Sequence, residues 1–441
     1  MNDPMNESSD RSSAEMAERV EDLAAPDGAA ILQSLPDAVS ADVSEYLDPN
    51  TAAGILANMD ASQAAGVIAK METPEAALVL QAMSPDDRVD ILSRISEPLH
   101  GRILSEMNAT DAAEVRLLEQ YPPDSAGGIM TTQVTALDEN LTVEQAIREL
   151  RRLKERQEPM FYVYVIDSHR HLVGVLSMRD LILARPDVRL RQLMHTDVRS
   201  VPANMDQEEV ARLFRKYDYL AMPVVDERNR LLGLITVDDV VDVMEEEATE
   251  DVQRMFGAGA EERLNSPWQF SLRKRFGWLV VNLLTAFLAA SVVLSFERMI
   301  QGLVALAVYM PVVAGMGGNA SAQAMSVAIR GIALGRVDRS MLRHVLAREA
   351  LVGLVTGLAI GLITACVAMF LHRDQGAKLG LVVGLALVIS HTVACTSGAA
   401  IPFLMKRLGF DPAQSATIVA TTVTDVVGFF SLLGLARLIL V

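Results

Sequence analysis

Residues 412–436 read PAQSATIVATTVTDVVGFFSLLGLA, a run in which Asp425 is the only charged side chain. A helix needs about 20 apolar residues to cross a hydrocarbon core about 30 Å thick, so this run predicts a membrane span. Asp425 lies at its middle, where inserting a carboxylate costs about 2.5 kcal/mol or more. We therefore expect this carboxylate to face the interior of a helix bundle or a pore.

Asp425 shares a helix face with Thr421 and Gly428, because residues at i, i+4 and i+7 lie on one side of a helix. Thr422 lies beside that face. An aspartate in a span can instead pair with a buried cation or form hydrogen bonds that serve packing alone. No other apolar run carries a central Lys or Arg, which favours an ion pathway over an ion pair.

Four further runs are as long and nearly free of charge, which predicts five spans: 276–296, 299–329, 350–371, 379–405 and 412–436. Short loops rich in Lys and Arg remain in the cytosol. Basic residues cluster before the first span, between the second and third, and after the fourth. The opposite loops hold only Arg298, Arg373 and Lys378. This bias predicts a cytosolic N-terminus and a last span that ends outside.

The second run contains the motif PVVAGMGGNASAQ at residues 311–323. Glycines in a span permit close helix packing, or they break the helix so that carbonyl groups face a cavity. The additional Pro311, Asn319 and Gln323 favour a polar pathway, to which Gly317 and Gly318 would also belong.

His391 and Cys395 in the fourth run have the i, i+4 spacing that two metal ligands on a helix can adopt. A zinc or copper site needs further soft ligands, and none occurs near them in the sequence. We predict packed interior positions instead.

The charge of the chain is divided unevenly. Residues 1–270 hold 50 acidic and 25 basic side chains, whereas residues 271–441 hold 6 and 14. The acidic part lacks the clustered Lys and Arg that phosphate contacts require, so no nucleic-acid partner is expected. The first 25 residues lack the apolar core of a signal peptide, and we expect the acidic part to remain in the cytosol.

A twelve-residue repeat runs through residues 35–107, marked by Leu35, Leu47, Met59, Met71, Met83, Ile95 and Met107. Most of these residues are followed by a capping-type residue such as Asp48 or Asp60. The pattern predicts one short capped helix per unit, stacked into a superhelix. Such stacks usually bind partners.

A second duplication follows the repeat. YVYVID (162–167) and GVLSMRD (174–180) pair with MPVVD (222–226) and GLITVDD (233–239). Each copy predicts the order strand, helix, strand, strand, helix. The pair resembles tandem CBS domains, which are regulatory modules that often bind nucleotides.

The second copy leads into a helix dense in acids, with Asp239, Asp242 and Glu246 on one face. Such runs are normally solvated faces or disordered tails. Crowded carboxylates are costly unless a cation neutralises them, and hard oxygen ligands suit Mg²⁺ or Ca²⁺.

Superhelix, CBS pair, acidic helix and five spans, in this order, resemble the MgtE family of magnesium transporters and channels. The motifs that carry the resemblance are SAGGIM (125–130), DQEEV (206–210), TVDDV (236–240), the glycine motif of the second span, RLGFDP (407–412) and TTVTDVVG (421–428). The resemblance implies a multidomain membrane protein with an all-α superhelical N-domain, α/β tandem CBS domains and a five-helix all-α transmembrane domain. The expected ranges are a disordered N-terminus (1–26), the N-domain (27–129), the CBS domains (130–193 and 194–243), a connecting helix (244–271) and the transmembrane domain (272–441).

The same resemblance implies a homodimer with its pore between the protomers, in which Asp425 corresponds to the pore carboxylate. The remaining pathway candidates are Pro311, Gly317, Gly318, Asn319, Thr421, Thr422 and Gly428. The positions that resemble the cytosolic Mg²⁺-sensing sites of the family are Asp206, Glu208, Asp218, Asp239, Asp242, Glu247, Glu250 and Asp411. No motif marks the sensing acids of the N-domain, for which Asp86, Asp87 and Asp90 are the candidates.

The leading hypothesis is a Mg²⁺-selective channel for uptake across the cell membrane, closed by cytosolic Mg²⁺, with a nucleotide such as ATP as a further ligand of the CBS pair. Its expected partners are a second copy, membrane lipid and divalent cations. One alternative is a proton- or sodium-coupled Mg²⁺/Co²⁺ carrier, although five spans do not divide into two equal repeats. Another is a membrane enzyme or nucleotide receptor, for which only His391, Cys395 and Asp425 offer reactive groups.

Overall fold

The computed structural model describes residues 4–152, 162–259, 262, 266–333, 341–372, 375–413 and 416–440. The chain divides into two compact units, Met1–Met244 and Glu245–Val441. The boundary falls inside helix α14 (Val237–Met255), which begins as the last helix of the second CBS module. The predicted boundary between residues 243 and 244 thus lies within one continuous helix.

The first unit begins with short helices: α1 (Pro4–Glu21), α2 (Ala25–Gln33), α3 (Asp37–Tyr46), α4 (Pro49–Ala57), α5 (Ala61–Ile68), α6 (Thr73–Ala82), α7 (Pro85–Leu92), α8 (Glu97–Glu106) and α9 (Ala109–Leu118). From α2 to α9, successive helices begin twelve residues apart, which confirms one helix per repeat. Asp60 caps α5 by accepting hydrogen bonds from the backbone of Ser62 and Gln63, and the apolar pair Val67–Ile68 is buried. The repeat is therefore a cap followed by a buried helix face.

The predicted disordered N-terminus (1–26) is replaced by α1 over most of its length. Ala17 and Val20 of α1 are buried in the core of the N-domain. Their i, i+3 spacing gives an otherwise polar helix one apolar edge, and this edge allows the segment to pack.

Each CBS module contains one three-stranded sheet. The first module consists of β1 (Ala136–Asp138), α10 (Val143–Arg152), β2 (Tyr162–Ile166), β3 (Leu172–Ser177) and α11 (Met178–Leu183), and it is followed by α12 (Leu190–Leu193). The second consists of β4 (Val201–Pro202), α13 (Gln207–Tyr217), β5 (Ala221–Val225), β6 (Leu231–Thr236) and α14. In both sheets the first two strands are parallel and the last two form an antiparallel hairpin. The predicted order is confirmed, and α12 is an addition to it.

The superhelix and the second CBS module share one hydrophobic core, in which Leu92 and Val115 lie with Phe214 and Val240. The SAGGIM segment joins them, because the backbone of Gly127 donates to the carbonyl of Ala203 at 2.8 Å. This packing brings acidic residues of the superhelix to the start of α14.

The second unit contains α15 (Trp268–Leu294), α16 (Glu297–Gly302), α17 (Ala305–Ala333), α18 (Leu342–Leu371), α19 (Gly376–Leu408) and α20 (Ala416–Ile439). Within the described ranges, α15, α18, α19 and α20 are long and apolar enough to cross a membrane. Helix α17 is 29 residues long, about 43 Å at 1.5 Å per residue, but its Asn319, Ser321 and Gln323 reduce its apolar character. It corresponds to the predicted second span.

Helix α17 continues through Pro311 and the glycine motif. The structure therefore does not contain the helix break that was one explanation of these glycines. Gly317 instead permits close packing, since a Cβ there would lie 2.8 Å from Ser390 Oγ of α19.

Helices α18 and α19 meet along glycine rows that sequence reasoning missed: Gly353, Gly357 and Gly361 on α18, and Gly376, Gly380 and Gly384 on α19. Small residues spaced by four allow the backbones of two spans to approach closely. The signal was the repeated four-residue spacing, which the overall apolar character of both runs obscured.

We predict that Gly361→Ala destabilises the membrane unit. A Cβ at this position would lie 2.7 Å from the carbonyl oxygen of Gly384, and overpacking of this kind costs about 1–3 kcal/mol. The midpoint of thermal unfolding in detergent should fall, whereas Gly277→Ala on α15, where nothing lies within 4 Å, should leave it unchanged. Equal midpoints for both variants would contradict the close helix contact.

Candidate ion pathway and cytosolic cation sites

Asp425 is half-buried on α20. Among the described residues, no side chain forms a hydrogen bond or an ion pair with its carboxylate. The neighbouring hydroxyl groups are bonded to their own helix: Thr421 and Thr422 both donate to the carbonyl of Ile418, at 3.1 and 2.7 Å. Because these hydroxyls use their protons locally, their oxygens remain available as acceptors beside an unpaired carboxylate.

The helices next to Asp425 are packed through glycines. Gly428, one turn after Asp425, lies against Val313 of α17, to which a Cβ would come within 3.2 Å. Gly317 lies against Ser390 and Thr424. These contacts pack α17, α19 and α20 closely together next to Asp425. The position of its carboxylate is therefore set by packed helices.

The predicted pathway residues of α17 divide into two groups. Gly317 is buried, whereas Pro311 and Asn319 are exposed on the single chain, and Gly318 has nothing within 4 Å of its ideal Cβ. Within the described part of the chain, Asn319 makes no hydrogen bond to Asp425. The single chain therefore does not assemble all of these residues around one point.

His391 and Cys395 are buried, as predicted for packed positions. The Nδ1 atom of His391 lies 2.9 Å from the carbonyl oxygen of Leu387, and Cys395 Sγ lies 3.8 Å from that of Ala320. Over the ranges that the structure describes, neither belongs to a group of three metal-ligating side chains.

In the first unit, two carboxylates from different domains lie close together. Asp86, in the first turn of α7, is buried, and its Oδ1 atom has no hydrogen-bond partner in the described ranges. Asp239, in the first turn of α14, accepts a hydrogen bond from Thr236 Oγ1 at 2.6 Å. Burial, and then the charge of Asp86, raise the pKa of Asp239 to about 8. Burial also raises the pKa of Asp86. The ionised forms of both groups are therefore costly here.

The internal duplication separates the causes of this shift. Ser177 and Asp180 of the first CBS module occupy the positions of Thr236 and Asp239, and Ser177 Oγ donates to Asp180 at 2.6 Å. There the hydrogen bonds from Ser177 lower the pKa of Asp180. Since both modules contain the same capping pair, the raised pKa of Asp239 results from its burial beside α7.

No basic side chain offsets this pair in the described ranges: Asp86 and Asp239 form no ion pair with Lys or Arg. Arg88, the nearest basic residue in sequence to Asp86, lies 3.5 Å from Glu114 and 3.9 Å from Asp111. Its charge is therefore shared with other acids. Carboxylate oxygens without a cationic partner are the donor set that Mg²⁺ accepts, so the chemistry of this pair fits a divalent ion.

The other candidates of the N-domain behave differently. Asp87 lies in the same turn as Asp86 and adds to the negative potential at Asp239. Asp90 is exposed and lies 3.9 Å from Arg94 of its own helix. The structure thus brings Asp86 and Asp87 to the start of α14.

The remaining predicted sensing residues of the first unit lie on α13 and α14. Asp206 caps α13 by accepting from the backbone of Glu208 at 2.9 Å, and Glu208 pairs with Arg212 at 3.0 Å. Asp218 ends α13 in the left-handed conformation, with φ of 54°, and is exposed. Asp242 is exposed on α14. Asp206, Glu208 and Asp218 thus belong to α13 and its two ends, whereas Asp242 lies one turn after Asp239 on α14.

In the second unit, Glu250 and Asp411 both contact the guanidinium of Arg254. Sequence reasoning predicted these two acids but missed Arg254, whose guanidinium pairs with both of them. Met255, the last residue of α14, packs on apolar residues of α17, α19 and α20, and its carbonyl accepts from Thr417 of α20. Glu247 is half-buried one turn before Glu250.

Comparisons with known proteins cover most of the chain. The MgtE intracellular N domain matches residues 23–124, CBS domains match 126–187 and 190–246, and the MgtE divalent cation transporter domain matches 310–435. The magnesium transporter MgtE of Thermus thermophilus is 38% identical over 80% of this chain and 79% of its own. That of Bacillus subtilis is 35% identical over 80% and 77%. The cytosolic domain of the Mg²⁺ channel MgtE in complex with ATP matches with a TM-score of 0.50 and 36% identity, over 52% of this chain and 93% of that structure.

Proposed function

Because this chain belongs to the MgtE family of magnesium transporters, we propose that it forms a Mg²⁺-selective channel for uptake that closes when cytosolic Mg²⁺ binds its acidic domains. The single observation that supports a pathway is Asp425, a carboxylate halfway along a membrane helix that pairs with no cationic side chain in the described part of the chain. Such a group marks an ion pathway more often than a structural pair when no cation is available to it.

We further propose that the pathway lies between two copies of the chain. Mg²⁺ dehydrates reluctantly and is held by one or two carboxylates while it keeps several waters. Two Asp425 side chains across a dimer axis would provide this arrangement. The exposure of Asn319 and Pro311 on the single chain supports a second copy that completes the polar lining.

Closure is proposed to begin at Asp86 and Asp239. Without divalent ions, the two carboxylates can ionise only at a cost while they are buried beside each other, and this cost favours separation of the superhelix from the second CBS module. A bound Mg²⁺ would replace the missing positive charge and favour the compact arrangement. Since α14 runs from this site into the second unit as one helix, a change at its start can be transmitted along the connecting segment.

The Glu250–Arg254–Asp411 ion pairs suggest a second contribution to closure. Arg254 pairs with Asp411, and the carbonyl of the next residue, Met255, accepts a hydrogen bond from Thr417 of α20. Thr417 is eight residues before Asp425, which corresponds to about 12 Å along the helix axis at about 1.5 Å per residue. The end of α14 is thus held just beyond the proposed ion site.

We propose ATP as a further ligand of the CBS pair, because a related cytosolic domain has been crystallised with it. Calorimetric titration of the purified full chain with ATP at fixed Mg²⁺ tests this separately from transport. A heat of binding that corresponds to a defined stoichiometry is expected. Its absence would contradict the proposal that ATP binds the CBS pair.

The orientation in the membrane follows from the positive residues of the loops. In a variant without Cys366 and Cys395, Gln375→Cys and Val441→Cys should react with an impermeant thiol reagent on intact cells, and Asp338→Cys should not. Asp338 and Val441 lie outside the described residues. Labelling at Asp338→Cys would contradict the five-span topology.

Mg²⁺ flux into liposomes that contain the purified chain tests the proposed function. We expect flux down the Mg²⁺ gradient that is independent of an imposed proton or sodium gradient. Flux that requires either gradient would favour the coupled carrier, and no flux would overturn the transport pathway itself.

A further inference from the structure

The turn between β2 and β3 contains the sequence Asp167-Ser-His169-Arg-His171. The ligand atoms of Asp167, His169 and His171 all lie within 4.8 Å of one another. His171 Nδ1 is 2.8 Å from Asp167 Oδ2, and the two imidazole rings stack with centroids 5.9 Å apart. These residues are far in sequence from Asp425 and take no part in the cation sites described above.

The corresponding turn of the second module, between β5 and β6, shows which interactions are sufficient to form the turn. Asp226 accepts from the backbones of Arg228 and Arg230, as Asp167 does from those of His169 and His171. The Arg230 side chain also pairs with Asp226 at 2.7 Å. The turn is therefore satisfied by arginine in one copy, and the first copy has metal-binding side chains at both equivalent positions.

We propose that Asp167, His169 and His171 form a binding site for a transition-metal ion of the Zn²⁺ class. The ion would take the place of the proton between His171 Nδ1 and Asp167 Oδ2. The distance between these two atoms, 2.8 Å, is close to the roughly 3–3.5 Å that separates neighbouring ligand atoms of an ion bound at about 2.1 Å. His169 is exposed, and its ring would supply the third ligand of the same ion.

The donor set determines which ion would bind. Two imidazoles and one carboxylate suit Zn²⁺, Co²⁺, Ni²⁺ or Cu²⁺, whereas Mg²⁺ takes oxygen ligands in an octahedron. The site therefore differs in chemistry from the carboxylate pair at Asp86 and Asp239. Excess Mg²⁺ should occupy the oxygen sites and leave this one free for the softer ion.

The test uses the full chain in detergent with a large excess of Mg²⁺. Zn²⁺ is titrated against a chromogenic chelator, and the Zn²⁺ retained after desalting is measured by elemental analysis. The matched variant, H169R/H171R, places the residues of the second turn in the first and so preserves the pairing of Asp167. We expect the wild type to retain about one more Zn²⁺ per chain than the variant, with affinity at the lost site reduced at least about tenfold.

Two readouts distinguish loss of the site from loss of the fold. Mg²⁺ flux without Zn²⁺ should be equal in the two proteins. Zn²⁺ should raise the unfolding midpoint of the wild type more than that of H169R/H171R, because an ion bound only to the folded state stabilises it. Equal Zn²⁺ retention by both proteins, or none by either, would overturn the proposal, and neither result would bear on Mg²⁺ transport.

Discussion

Replacing Asp425 by alanine is expected to abolish Mg²⁺ flux while leaving the protein folded. Unit charges about 4 Å apart attract by about 4 kcal/mol at an effective dielectric constant of about 20, and each 1.4 kcal/mol is about a factor of ten. Loss of the carboxylate should therefore reduce flux by at least about 100-fold. Asp425→Asn keeps the shape and polarity of the side chain without its charge and should give a smaller but still large loss.

The control for this experiment is Glu297→Ala, which removes an exposed acid of α16 from the same unit. Its flux should match that of the wild type, and both alanine variants should elute in size-exclusion chromatography as the wild type does. If well-folded Asp425→Ala transports Mg²⁺ normally, the carboxylate belongs to packing, and the pathway must be sought elsewhere.

Release of the cytosolic control is the second large effect that we expect. Deletion of residues 1–129 removes Asp86 and the whole superhelix, and Asp239→Ala with Asp242→Ala removes two acidic side chains from the first two turns of α14. Several weak sites must act together to shift the equilibrium between the open and the closed channel, because Mg²⁺ shifts it only by its differential affinity for these two states. Either variant should therefore conduct at internal Mg²⁺ at least about tenfold above the concentration that closes the wild type.

The matched control is Asp180→Ala, at the position of the first CBS module that corresponds to Asp239. Asp180 has the same capping role, but it is only half-buried and its pKa is lowered rather than raised, so its loss should leave the Mg²⁺ dependence of closure unchanged. Limited proteolysis of the same proteins provides an independent measure, since Mg²⁺ should protect the wild type and Asp180→Ala but not the double variant. Equal protection of all three would reduce the acidic surface to a solubilising face.

The parts of this molecule with a strict period could be predicted from the sequence. The twelve-residue spacing from Leu35 to Met107 corresponds to helices that begin twelve residues apart, and the duplicated GVLS and GLIT segments correspond to β3 and β6. These features depend on local caps and alternating burial, which a single sequence displays directly.

Features that depend on tertiary contacts could not be predicted in the same way. The sequence did not distinguish Asp86 from Asp87 and Asp90, because the burial of Asp86 beside Asp239 depends on how the superhelix packs against the second CBS module. Arg254 was missed for the same reason, as its two carboxylate partners are Glu250 on its own helix and Asp411, which is 157 residues away. The glycine motif of α17 was compatible with a helix break and with close packing. The distinction depends on the neighbouring helix, where Ser390 packs against Gly317.

The most direct test of the account is the open probability of the channel in excised patches while the Mg²⁺ concentration at the cytosolic face is varied. If cytosolic Mg²⁺ closes the channel, wild-type openings decrease steeply as Mg²⁺ reaches millimolar levels, and the Asp239→Ala, Asp242→Ala protein remains open over the same range. Wild-type openings that are independent of cytosolic Mg²⁺ would contradict the claim that the transported ion closes its own pathway.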